Sequence, residues 1–145
     1  MIGIAQFGMV LAAFGVVLTL MGLFPGVTGI ETAFGVGIVQ FVSILLGFAL
    51  LDLGALIYVK FSFYVGRPAN LAQQIGVRLT LTGLVLAGLT GMADFLGFGS
   101  HLRGDGSDVF FGQLQALGLL GSLLISALGV MIYAVLGEPP NQNHS

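Results

Sequence analysis

Asp94 is a carboxylate inside a long apolar segment, where an ionisable side chain is unusual and could do chemistry. A candidate polar cluster includes Asp94 and three amides at similar depth in the second and fourth apolar segments, Gln40, Gln113 and Gln115. It also includes the imidazole of His101, which lies in the loop that follows the segment of Asp94. An ionised side chain at the centre of a membrane span costs about 2.5–3.5 kcal/mol, and amide donors would offset that cost. The pattern predicts a pocket for a proton, a cation or a small polar solute, or else a hydrogen-bonded contact that fixes helix register.

Asp52 is a second carboxylate within an apolar run, LLGFALLDLGALIYVK, which reaches Lys60 two helical turns later. On a helical wheel Asp52 falls about 120° from the stripe that begins at Gln40 and continues through Gly47 and Gly54. We therefore expect Asp52 to point away from the interior that Asp94 faces and to lie on an outer face. Three interpretations remain open: an ion pair with Arg78 or Lys60, an interface with a partner subunit, or a proton-carrying role.

Several chemistries find no support in the residue types. The chain has no cysteine, so thiolate nucleophiles and cysteine-based metal sites are excluded. One histidine with Asp105 and Asp108 nearby is a weak metal signal. No nucleophile–base set or phosphate-binding loop occurs. A net charge of −2 without a basic cluster argues against nucleic acid. We therefore expect no enzyme activity, no metal and no cofactor.

The composition indicates which elements must position these side chains. Of 145 residues, 57% are hydrophobic and 7% charged, whereas a soluble domain carries about a quarter charged residues. A span needs about 20 apolar residues. The sequence predicts an all-α membrane protein, a single domain with four transmembrane helices at about 4–24, 36–59, 77–98 and 110–136. The N-terminal segment lacks the basic region and cleavage site of a signal peptide, which favours an uncleaved first span.

The connection between the second and third spans carries helix stop and start signals. Gly66 and Pro68 are typical of the end of a helix. Asn70, with Gln73 three residues later, is typical of the start of the next one.

Basic residues predict the orientation of the spans. Lys60, Arg67 and Arg78 flank the middle connection, and Arg103 shares its loop with two aspartates. The positive-inside rule then places the middle connection and both termini in the cytoplasm.

An internal repeat is visible when the chain is compared with itself. An ungapped shift of 75 residues aligns 1–59 with 76–134 and gives 13 identical pairs, among them Gly8 with Gly83 and Gly54 with Gly129. This match predicts tandem duplication of a two-helix hairpin, with both copies in the same orientation.

Small residues recur at steps of three and four along each predicted span. In lipid, helices associate through close contact of small side chains and through hydrogen bonds. The stripes predict a compact bundle with a small, polar interior; the alternative is that membrane helices simply contain much glycine. The glycines expected to mediate packing are Gly8, Gly15, Gly47, Gly54, Gly83, Gly118 and Gly129.

The expected function follows from short connections and the lack of a catalytic set. The leading hypothesis is a non-catalytic accessory or scaffold subunit of a larger complex in a bacterial cytoplasmic membrane. Its partners would be the lipid bilayer and either other membrane subunits or further copies of itself. The alternative is a small oligomeric transporter or channel in which Asp94 and the glutamines bind the solute.

Overall fold

Four long α-helices form the fold in the computed structural model, which describes residues 2–29, 38–95 and 113–137. The helices are α1 (Ile2–Leu23), α2 (Ile38–Phe63), α3 (Leu71–Phe95) and α4 (Gln113–Val135), with a short 3₁₀ helix at Pro25–Thr28. Each α-helix is long and apolar enough to cross a membrane, and no strand occurs within the described ranges. The prediction of an all-α fold with four helices long and apolar enough to span a membrane is confirmed for the described residues.

The third helix begins at Leu71, six residues before the predicted span, because a capping box precedes it. The Gln73 backbone N–H donates to Asn70 Oδ1 at 2.8 Å, and the Asn70 N–H donates to Gln73 Oε1 at 3.2 Å. Each side chain thus satisfies a backbone donor of the other residue. The start signal read from Asn70 and Gln73 is confirmed, and the helix extends to it.

The second helix ends at Phe63, four residues beyond the predicted span. The Tyr64 N–H still bonds to the Lys60 carbonyl at 3.1 Å, and the Arg67 N–H closes a turn onto the Tyr64 carbonyl at 3.3 Å. Gly66 then adopts a φ of 70°, a left-handed conformation that glycine adopts at little cost. Pro68 cannot continue a helix, so the chain turns here into α3.

The first hairpin, α1 with α2, is held by small residues spaced seven apart. A Cβ on Gly8 would lie 2.7 Å from the Tyr58 nitrogen, and one on Gly54 would lie 2.6 Å from the Gly8 carbonyl oxygen. Only hydrogen fits between these backbones, as in membrane helices that pack through small residues. The facing positions are Gly8 with Gly54 and Tyr58, Gly15 with Gly47 and Leu51, and Gly22 with Gln40 and Ile44.

The second hairpin, α3 with α4, is held in the same way but in a different register from the ungapped repeat. The facing positions are Gly76 with Gly129 and Tyr133, Gly83 with Ser122 and Ser126, and Thr90 with Gly118. The 75-residue shift maps Gly8 and Gly54 onto Gly83 and Gly129, yet Gly129 faces Gly76. When the hairpins are matched by their contacts, α3 therefore corresponds to α1 with an offset of 68 residues (Gly8 to Gly76). Helix α4 corresponds to α2 with an offset of 75 residues (Gly54 to Gly129).

Hydroxyl side chains on these faces bond to their own helices. Thr19 Oγ1 donates to the Gly15 carbonyl at 2.8 Å, and Ser122 Oγ donates to the Gly118 carbonyl at 2.6 Å. A hydroxyl that donates a hydrogen bond to the carbonyl four residues earlier leaves no free donor facing the neighbouring helix. Threonine and serine can therefore stand beside glycine at the contact.

Helix α2 is the central element, because it packs along α1 and also contacts both α3 and α4. The Phe41 ring occupies the space that a Cβ on Gly91 of α3 would fill, and Leu45 lies 3.8 Å from the corresponding position on Gly88. The expectation that all small-residue stripes line one common interior is corrected. The stripes close each hairpin, and the two hairpins meet through the other side of α2.

Candidate functional site

Asp52 lies in the middle of α2 and is buried, with 4% of its surface exposed. Its Oδ2 accepts a hydrogen bond from Ser126 Oγ of α4, on the other hairpin. Ser126 is fully buried, and its hydroxyl also lies 3.1 Å from the Thr80 carbonyl oxygen of α3. A serine hydroxyl carries a single hydrogen, so Ser126 can donate to only one of these acceptors at a time. We call Asp52, Ser126 and Thr80 the interhelical triad.

Thr80 connects the interhelical triad to the contact between α3 and α4 in the second hairpin. Its Oγ1 lies 3.0 Å from the Gly76 carbonyl oxygen and 3.2 Å from the Ser126 carbonyl oxygen, and the side chain is 1% exposed. The triad thus links α2, α3 and α4 through buried polar groups. Such a network specifies one arrangement of the helices because an unbonded polar group in the interior is costly.

The expectation that Asp52 points away from the interior is wrong. The wheel angle was right, but α2 has two packing faces: Gly47 and Gly54 face α1, and Asp52 faces the second hairpin. An interface between Asp52 and a partner subunit does not fit either, since a partner could not reach so buried a carboxylate without parting the hairpins.

Lys60 and Arg78 do not neutralise Asp52 in the described part of the chain, where neither forms an ion pair with it. Both side chains are exposed, and the Lys60 ammonium lies 5.9 Å from the centre of the Phe61 ring. The ion-pair interpretation of Asp52 is replaced by the hydrogen bond from Ser126. One feature of the sequence could have indicated this hydrogen bond, namely that Ser126 is a polar residue within the apolar segment of α4.

Of the polar cluster expected around Asp94, only the side chains of Gln40 and Gln115 are among those that the structure describes. Gln40 donates from Nε2 to the Gly22 carbonyl at 3.4 Å, inside the first hairpin, and Gln115 is half-buried near the start of α4. Asp94 and Gln113 lie at the ends of α3 and α4, but their side chains, like all of His101, lie outside the described part. The binding role of this cluster stays a prediction.

A second polar region joins the connection between α2 and α3 to the end of α4. The Tyr64 hydroxyl donates to the Ala134 carbonyl at 2.9 Å, and the Asn70 amide donates to the Leu136 carbonyl at 2.8 Å. The rings of Tyr64 and Tyr133 meet edge to face with centroids 6.2 Å apart. These contacts satisfy carbonyls that a helix end leaves without intrahelical partners.

A small cavity of about 100 Å³ opens beside these contacts. Its lining residues are Tyr64, Arg67, Pro68, Asn70 and Gln73. Gln73 is 3% exposed, and its Nε2 is buried with no hydrogen-bond partner among the described residues. Gln73 was identified from the sequence only as a helix-capping residue. Arg67, six residues earlier, was the one feature of the sequence that could have indicated a polar site here.

Comparison with known proteins adds no assignment to either polar region. Within the described ranges, no group of three histidine, aspartate or glutamate side chains is placed to hold a metal ion. No protein-family model matches the chain, and neither characterised proteins nor solved structures give a match.

Proposed function

We propose that this protein is a non-catalytic integral membrane protein that serves as an accessory or scaffold subunit of a larger membrane complex. The observation that carries the proposal is the burial of Asp52 against Ser126. A carboxylate that carries a proton or cation must be reached by water or solute, whereas Asp52 is enclosed and bonded between helices. The transporter alternative therefore rests on Asp94 and the glutamines. The geometry of Asp52 supports a structural role, since buried polar groups can fix one arrangement of helices.

A groove between α2 and α3 is the surface that we propose receives the partner. It is an open groove with a volume of about 440 Å³, and its lining residues are Val42, Leu45, Leu46, Ala49, Leu81, Leu84 and Val85. Every one of these side chains is apolar. Because lipid tails are equally apolar, a helix gains over lipid only by shape complementarity, which a groove provides and a convex helix face does not. We propose a transmembrane helix of another subunit as the occupant.

The origin and placement of the chain are part of the same proposal. We propose that the hairpins arose by tandem duplication, since both are held by small residues seven apart. We also propose a bacterial cytoplasmic membrane, with both termini and the α2–α3 connection in the cytoplasm. This orientation is supported by Lys60, Arg67 and Arg78, which lie near that connection.

Tryptophan at the groove tests the proposed function. Val85 is 61% exposed in the groove, and Leu124 is 65% exposed on α4 outside it. We expect tagged wild-type protein and Leu124→Trp to purify from native membranes in mild detergent with the same partner at fixed stoichiometry. Val85→Trp fills the groove and should weaken that association at least about tenfold, which corresponds to 1.4 kcal/mol. Quantitative mass spectrometry of the purified complexes measures the ratio.

Two outcomes would contradict the subunit proposal. One is equal recovery of the partner with Val85→Trp and with Leu124→Trp, since the groove would then be irrelevant. The other is purification of the wild-type chain as a homo-oligomer alone, combined with solute flux in liposomes that Asp94→Asn abolishes. That second result would establish the transporter alternative.

A further inference from the structure

We propose that the cavity at the start of α3 binds the phosphate group of an anionic phospholipid. The cavity lies between the end of α2 at Phe63 and the start of α3 at Leu71, two helices that are apolar enough to cross a membrane. Phospholipid phosphates lie at the level where such helices end, so the ligand is at hand there. The proposal is independent of whether the protein is an accessory subunit.

Gln73 provides the first observation for a ligand. Its Oε1 accepts the hydrogen bond from the Asn70 N–H, which fixes the orientation of the side-chain amide. The amide –NH₂ group is therefore the end left without a partner, although the side chain is 97% buried. A buried donor without an acceptor costs about 1–3 kcal/mol. Gln73 lines the cavity, and a phosphate oxygen that reaches this amide would accept from it.

Charge at the cavity provides the second observation. Arg67, an exposed residue, is one of the lining residues, and the planar donors of a guanidinium match phosphate oxygens. The positive end of the 25-residue helix α3 lies at the same place, and a helix N-terminus favours an anion. No acidic side chain is among the five lining residues. A buried amide donor and a positive charge thus belong to residues that line the same cavity.

The matched variants separate ligand binding from helix capping. Gln73→Glu has the same size and keeps the Oε1 acceptor for the Asn70 N–H, but it replaces the –NH₂ donor by a negative oxygen. Arg67→Gln removes the charge at an exposed position. Arg78→Gln removes the positive charge of another exposed residue, which lies on α3 and does not line the cavity, and is the control.

The test measures the thermal unfolding of full-length protein in a nonionic detergent with three added probes. They are dioctanoyl phosphatidylglycerol, dioctanoylglycerol with the same chains but no phosphate, and inorganic phosphate. We expect phosphatidylglycerol alone to raise the Tm of the wild type and of Arg78→Gln. With Arg67→Gln and Gln73→Glu, at least about tenfold more phosphatidylglycerol should be needed for the same shift, given the strength of charge-assisted hydrogen bonds.

Each other result overturns part or all of the proposal. An equal shift with dioctanoylglycerol would show that the chains bind and the phosphate does not. An equal shift with inorganic phosphate would assign the cavity to the free ion rather than to a lipid. Unchanged phosphatidylglycerol binding by Arg67→Gln would overturn the site itself, and this variant keeps the test decisive if Gln73→Glu fails to fold.

Discussion

Gly129→Ala is expected to lower the free energy of unfolding by about 1–3 kcal/mol, the cost of forcing extra volume into a packed interior. The added Cβ would lie 2.5 Å from the Gly76 carbonyl oxygen, which belongs to the backbone and cannot turn aside. The helices would have to separate, and the contacts along the second hairpin would weaken with them. Thermal unfolding in detergent, or denaturation by SDS titration, measures the change.

Gly121→Ala is the matched control for this prediction. Gly121 lies on the same helix, eight residues earlier, and a Cβ there meets nothing within 4 Å among the described residues. Alanine is a better helix former than glycine by about 1 kcal/mol, so this variant should be neutral or slightly more stable. Equal destabilisation by the two substitutions would show that helix propensity, and not close backbone contact, governs the hairpin.

Ser126→Ala should destabilise the protein more than Asp52→Leu does. Removing the hydroxyl leaves a buried carboxyl without its donor, at a cost of about 1–3 kcal/mol. Removing the carboxyl instead leaves Ser126 able to donate to the Thr80 carbonyl, and the leucine side chain has the same branched shape as that of aspartate. The double variant Asp52→Leu/Ser126→Ala lacks the unbonded carboxyl, so it should recover much of the stability that Ser126→Ala loses.

A double-mutant cycle on unfolding free energies measures this coupling. Arg78→Gln serves as the control, because the described structure gives Arg78 no contact with Asp52; its effect should simply add to that of Asp52→Leu. If Ser126→Ala proved neutral while Arg78→Gln coupled to Asp52→Leu, the carboxylate would be paired with arginine and the interhelical triad would not exist.

Composition and turn chemistry were sufficient to predict the four helices. Long apolar runs with so few charges have one stable solution in lipid, and Asn70 with Gln73 marked the start of α3 in advance. The side-chain contacts between different helices could not be predicted in the same way. Placing Asp52 required knowing that α2 packs on two sides, which depends on the arrangement of all four helices and not on the periodicity of one.

The register of the second hairpin could not be predicted for a geometric reason. Seven residues make almost two full helical turns, with a drift of about 20°. A stripe of small residues spaced seven apart therefore looks the same after a shift of seven. The ungapped alignment pairs Gly8 with Gly83, whereas the observed contacts pair Gly8 with Gly76. Both alignments place a glycine on the same face of α3. Only contacts between helices distinguish the two.

Disulfide formation tests the register of the second hairpin most directly, because the natural chain has no cysteine to interfere. A Cβ on Gly118 lies 3.9 Å from the Cβ of Thr90, within the range of about 3.5–4.5 Å that a disulfide needs. We expect the variant Thr90→Cys/Gly118→Cys to cross-link on mild oxidation in native membranes. Thr90→Cys/Ile125→Cys, which shifts one partner by two turns or about 10.5 Å, should not. Cross-linking of the Ile125 pair and not of the Gly118 pair would contradict the register on which the account depends.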